Sequence, residues 1–384
     1  MFSGLSKLAD KSFVLGFFLP ALVGTVVFLW LNRDIEPFKT LLTEAAEDKT
    51  FSNLTVMLLS VWTLAVLLMA GNHWMYRVLE GYVWPLKQSW LRQRQLARRK
   101  QQRQAARVAS AAISSAGSAS KVLVVGTTRA DGVQSRAALE FSYLRLRRKL
   151  ALEYPDQREL VLPTRFGNVL RAFEMYAGNV YGVESIHAWP RLLAVVPKNY
   201  QETLADARAP VDFFVSLVFV SFLLGVIAFA RCVADFLSGF YGGQLWVFVG
   251  VCTMAFIVSR LCYLAAVSTA IAWGEVVKSA FDLYLPALAT ALGYTLPSTA
   301  KERRRFWEDL ANQFQFNAPL DPSRWSSAAK EQANAEGTEV EPSADEGEDT
   351  PDGGNGEELE AAGDQSADTA KTEPKMTAAP AVPK

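Results

Sequence analysis

Residues 162–174 read Leu-Pro-Thr-Arg-Phe-Gly-Asn-Val-Leu-Arg-Ala-Phe-Glu and hold the polar groups whose spacing could do chemistry. Phe166, Leu170 and Phe173 recur at i, i+4 and i+7, so one helical face is apolar, with Arg165, Arg171 and Glu174 as its polar neighbours. Thr164 can cap the start of that helix and Gly178 can end it. Together with Trp189 and Arg191, the side chains of Arg165, Asn168, Arg171 and Glu174 are expected to form a polar-aromatic cluster at the membrane face. Two roles stay open for it. One is a site for a lipid headgroup, an anionic ligand or a partner, and the other is an Arg–Glu and Trp-packed platform that orients the domain on the bilayer. A second set, Arg92, Arg94, Arg98, Arg99 and Lys100, offers contacts to anionic lipid, at ~1 kcal/mol per basic residue near the surface, or simply a solvated face. No aromatic residue interleaves between positions 92 and 107, which argues against nucleic acid.

Other chemistries find little support. The chain has 2 histidines, His73 and His187, and no His-Glu-x-x-His or Cys-x-x-Cys pattern. No catalytic residue, cofactor site or metal site is assigned. Gly126-Thr-Thr-Arg-Ala-Asp-Gly132 lacks the Gly-Lys-Ser/Thr ending of a phosphate-binding loop. The 3 cysteines, Cys232, Cys252 and Cys262, lie in or beside apolar runs and give no disulfide framework.

The elements that must position these residues are set by four apolar runs, 13–31, 54–70, 213–230 and 245–264. Each approaches the roughly 20 residues a helix needs to cross a ~30 Å hydrocarbon core. The first holds thirteen Phe, Val or Leu residues, which contribute on the order of −5 kcal/mol to insertion. It is longer than a secretory core segment and reads as a retained anchor. Residues 77–107 carry nine Lys/Arg and one acid, Glu80, whereas 32–53 carry three basic and five acidic residues. Basic loops stay in the cytoplasm. The topology expected is therefore four spans in a bacterial plasma membrane, with both termini and residues 71–211 inside. Arg260, the charge within a span, lies near the cytoplasmic end, where it can snorkel, meet a lipid phosphate or bridge helices.

The fold class expected is mostly α: two transmembrane hairpins (1–70 and 212–265) enclosing a basic juxtamembrane helix and linker (71–120) and a small cytosolic α+β or mainly helical domain (121–211). A bend near Gly81 or Pro85 should separate the second span from the basic helix. Residues 121–126 and 159–162 read as strands, and 135–153 as a helix. Residues 266–326 are expected as cytosolic or interfacial helices, with 283–296 and Pro286 a candidate for the interface. The tail, 327–384, has 15 acidic residues against four lysines and no aromatic. It is expected to be disordered, a solvating tail or an electrostatic cover for the basic segment.

The motif of 162–174, followed by Tyr181-Gly182 and Trp189-Pro-Arg-Leu192 ahead of a membrane hairpin, resembles a widespread group of uncharacterised bacterial multi-pass membrane proteins. Phe17-Phe18-Leu19-Pro20 and Glu302-Arg-Arg-Arg-Phe-Trp-Glu308 are similar to that group too. The resemblance implies a membrane topology and no particular activity. The function expected is a non-enzymatic scaffold or signalling component that positions a protein partner at the cytoplasmic membrane face. An oligomeric pore or membrane-disrupting effector gated by the cytosolic domain is the alternative. The bilayer, anionic lipids and further copies of the chain are the other partners considered.

Overall fold

Apolar length decides the architecture. The computed structural model describes residues 11–36, 38–39, 51–122, 129–239, 243–318 and 325. Four of its helices are long and apolar enough to cross a membrane. These are α1 (Lys11–Leu31), α2 (Phe51–Glu80), α8 (Lys198–Leu237) and α9 (Gly243–Ala291). Within α1, Val14–Phe18 forms a π-helical turn. The Leu19 N–H reaches back to Val14 O, and Pro20, which has no N–H to donate, follows directly.

α8 and α9 run 40 and 49 residues, or about 60 and 74 Å at 1.5 Å per residue. That is twice what a hydrocarbon core needs, so each has the length to cross one and continue beyond it. The polar segment 200–208 and the third apolar run are one helix through Pro210. Likewise α9 passes Pro286 without ending. Its last turns pack inward, with Leu285, Leu288 and Ala289 buried in the core.

α8 and α9 pack along each other as the principal hairpin, and α1 lies against α8 and α2. Alanines at these crossings, Ala21, Ala65, Ala228, Ala266 and Ala270, are fully buried and let the helices approach closely. Outward-facing Leu58, Leu59, Leu67, Phe222 and Leu261 are exposed, as a lipid-facing surface requires. Trp30 and Trp246 stand exposed near one end of the spans and Trp74 at the other, the placement that suits the two headgroup regions. Arg260 is exposed on α9, with its guanidinium 5.5 Å from the ring of Tyr263.

Beyond the spans, α3 (Ser89–Val122) and α4 (Arg129–Glu153) pair as a long hairpin. α2 ends at Gly81, which has φ +90°, and Trp84-Pro85 precedes α3, so the bend falls where expected. α5 (Arg165–Glu174), α6 (Tyr176–Tyr181), α7 (Ser185–Val195) and α10 (Ala300–Phe316) complete the body. One apolar core joins both parts. It passes from Val215, Val218 and Cys262 through Phe166, Phe173 and Phe281 to Phe306 and Leu310.

Three expectations need correction. The body is helical, with no strand among the described residues. Lys121 and Val122 close α3, and 123–128 lie outside those described. At 159–162 the backbone is a turn followed by irregular chain. Its carbonyls at Glu159 and Val161 accept from Arg92, and Leu162 is held by Asn168, so the polar groups a strand would pair are taken by side chains. Gly178 lies inside α6, which ends at left-handed Gly182 (φ +81°). The acidic tail lies outside the described residues.

Candidate functional site

The 162–174 motif works as a clamp between α2 and the body. Thr164 caps α5, its Oγ1 accepting from Gly167 N–H at 3.0 Å. Tyr263 Oη accepts from the N–H groups of Arg165 and Phe166 at 3.1 and 3.3 Å. These bonds satisfy donors that a helix start leaves without partners. Asn168 is fully buried: its Oδ1 accepts from Leu162 N–H at 2.7 Å, and its Nδ2 donates to Leu162 O at 3.0 Å and Thr164 O at 2.6 Å. Gly167 lets α5 press on the end of α2, since a Cβ there would sit 2.5 Å from Glu80 O. Arg165 Nη2 ties the clamp to Glu153 Oε1 of α4 at 3.2 Å.

The clamp closes one side of a cleft of about 680 Å³. Met69, His73, Tyr76, Arg77 and Glu80 share one face of α2 at helical spacing and form its long wall. Arg171, Phe173 and Glu174 come from α5, Ile186 from α7, Arg208 from α8 and Trp273 from α9. Tyr82, in the turn after α2, completes the rim. Polarity changes along the cleft: it begins at Met69 and Ala70, the end of the second apolar run, and finishes among charged groups.

Three guanidinium groups line it, each held differently. Arg171 donates to Tyr82 Oη and pairs with Glu174 Oε2 at 3.4 Å. The Arg77 guanidinium lies 5.5 Å from the Tyr82 ring centre, with no side-chain hydrogen bond among the described residues. Arg208 lies 5.7 Å from the Trp273 ring and spends its Nε on Asp212 Oδ2 at 3.3 Å. Asp212, almost fully buried beneath the cleft, also accepts from Asn72 Nδ2 at 3.1 Å and Tyr76 Oη at 2.7 Å. Four partners on α2 and α8 are thus pinned where both leave their apolar runs. Burial lifts the Glu174 carboxyl above its ordinary range, with Arg171 pulling it back and Glu184 adding to the rise. Burial likewise raises the Tyr82 phenol against the opposing pull of Arg171. This set of groups can hold positive and negative charge side by side in one ligand.

The six motif residues do not form a single cluster. Arg165 faces α4, Asn168 is spent on backbone, and Arg171 and Glu174 enter the cleft. Trp189 lies across α7 against Phe281, with ring centres 5.7 Å apart, and Arg191 sits 4.0 Å over Phe314 while donating to His187 O at 2.7 Å. Of the five candidate lipid contacts on α3, Arg92 and Arg99 bond the carbonyls of Val161, Glu159 and Asp156, while Arg94, Arg98 and Lys100 are exposed.

The sequence reading passed over Arg77, Glu80, Tyr82, Arg208 and Asp212. A signal existed: Asn72/Tyr76 and Arg208/Asp212 are i, i+4 pairs set just outside two apolar runs. No group of three His, Cys, Asp or Glu among the described residues is placed to hold a metal. Comparison with protein-family models, with curated proteins and with solved structures finds no match.

Proposed function

We propose that this chain is a multi-pass, non-enzymatic platform of the bacterial plasma membrane, with both termini in the cytoplasm, that positions a protein partner at the cytoplasmic face. The observation that carries this reading is the continuity of α8 and α9. Each runs without a break from an apolar span into the soluble body, and one core fastens the body to both. A body fixed in this way has a defined height and orientation over the bilayer. The α3–α4 hairpin stands out from it, basic along 92–107, with Val108, Phe141 and Leu144 exposed. Exposed apolar side chains beside arginines are the ingredients of a protein-docking surface. The charge of 77–107 supports placing this side in the cytoplasm.

The test uses photocrosslinking amino acids introduced in cells at Val108, Phe141 and, as a control, lipid-facing Leu59. A discrete protein adduct from the two hairpin positions and not from Leu59 is the expected result. Adducts from none of them, together with dye release from liposomes carrying the purified protein, would make the chain a membrane-permeabilising protein instead.

A further inference from the structure

The cleft carries an assignment of its own, independent of any docking partner. Its wall begins where the apolar run of α2 stops, and exposed Trp74 marks the same level. Given the four spans, that is the depth of the lipid headgroups. A lipid alongside α2 would therefore meet Met69 and Ala70 with its glycerol and chain ends, and Arg77, Glu80, Arg171 and Glu174 with its headgroup.

The charges narrow the headgroup. Guanidinium groups match phosphate oxygens, and Arg208 and Arg77 keep donors beyond their internal contacts. Two carboxyl groups, Glu80 and Glu174, share the same cleft and can accept from a cationic group of the same ligand. Glu80 is half-buried and forms no hydrogen bond or ion pair through its side chain among the described residues. Its carboxyl faces the cleft within electrostatic reach of Arg171 and Arg77 and has room there for a donor from a ligand. A primary ammonium supplies N–H donors; a quaternary ammonium has none. The tethered pair Arg171–Glu174 repeats the pattern, with cation and anion 3.4 Å apart on one helix face.

We infer that the cleft between α2, α5, α8 and α9 is a binding site for a zwitterionic phospholipid headgroup. Its phosphate diester is held by Arg171, Arg208 and Arg77, and its primary ammonium is held by Glu80 beside Glu174.

Binding is measured on the full-length protein in detergent by native mass spectrometry and by the shift in its thermal unfolding midpoint. The probes are dihexanoyl phosphatidylethanolamine, phosphatidylcholine and phosphatidylglycerol, and free phosphoethanolamine. The ethanolamine lipid should bind about tenfold more tightly than the choline lipid, the worth of one charge-assisted hydrogen bond. Glu80→Gln should abolish that preference while leaving choline-lipid binding in place. Arg77→Gln, at an exposed position with no internal hydrogen bond to lose, should weaken all phosphate-bearing lipids together. Equal binding of ethanolamine and choline lipids, or a preference unchanged in Glu80→Gln, overturns the assignment. Tightest binding of the glycerol lipid makes the site anionic rather than zwitterionic and overturns it as well. Free phosphoethanolamine binding as well as the lipid would replace the bilayer source with a soluble ligand.

Discussion

At the scale of single residues, Asn168 holds more local order than any charged neighbour. Its three hydrogen bonds fix Leu162 and Thr164 ahead of α5. Asn168→Ala leaves those backbone groups without partners, and should cost about 3 kcal/mol. A chemical unfolding midpoint unchanged from the parent would refute that. Gly167→Ala should destabilise by a further mechanism, overlap with the Glu80 carbonyl, at about 1–3 kcal/mol. Glu174 predicts a pH dependence. Its folded carboxyl titrates above the unfolded value of 4.5, so the folded form binds the proton more tightly. Stability from this group is present at low pH and falls as pH rises through the raised value. Glu174→Gln should therefore unfold at a higher temperature than the parent at pH 8, with the gap closing toward pH 4–5; a gap independent of pH would sink this. Some of this was legible in the sequence: the Thr164 cap and the Phe166–Leu170–Phe173 face follow from local spacing. The distant partners of Arg171 and Asp212 were not legible, because Tyr82 and Asn72 lie 89 and 140 positions away and no periodicity links them.

At the scale of elements, hydropathy located all four long helices and misplaced their ends. It reports the solvent a segment prefers, and a helix does not stop where its solvent changes. α8 accordingly runs from polar 200–208 into apolar 213–230 as one helix. The strand readings failed for a different reason. The apolar run Leu160-Val161-Leu162 suggested extended chain at 159–162, but Arg92 and Asn168, from other elements, occupy the backbone groups a sheet would pair. The same contacts make a prediction: Arg92→Ala with Arg99→Ala should free the 156–162 segment while leaving the spans folded. Limited proteolysis should then cut there at least about tenfold faster, as expected for three lost charge-assisted bonds. Cleavage at the parental rate would show that these arginines do not hold the loop.

At the scale of the whole molecule, the orientation rests on charge, and labelling decides it. In a variant without Cys232, Cys252 and Cys262, a membrane-impermeant maleimide applied to intact cells should modify Arg33→Cys and spare Val108→Cys. The reverse pattern inverts the topology. A mechanical consequence follows from α8 leaving the apolar slab as a single rod. Residues 198–212 extend about 22 Å past its third apolar run. A change in bilayer thickness that leans a span by roughly 10° would sweep the tip of that rod about 4 Å sideways. Because the shared core grips α9 as well, the displacement reaches the body intact instead of dissipating at a hinge. In that geometry, a change in lipid thickness becomes a lateral displacement of the body.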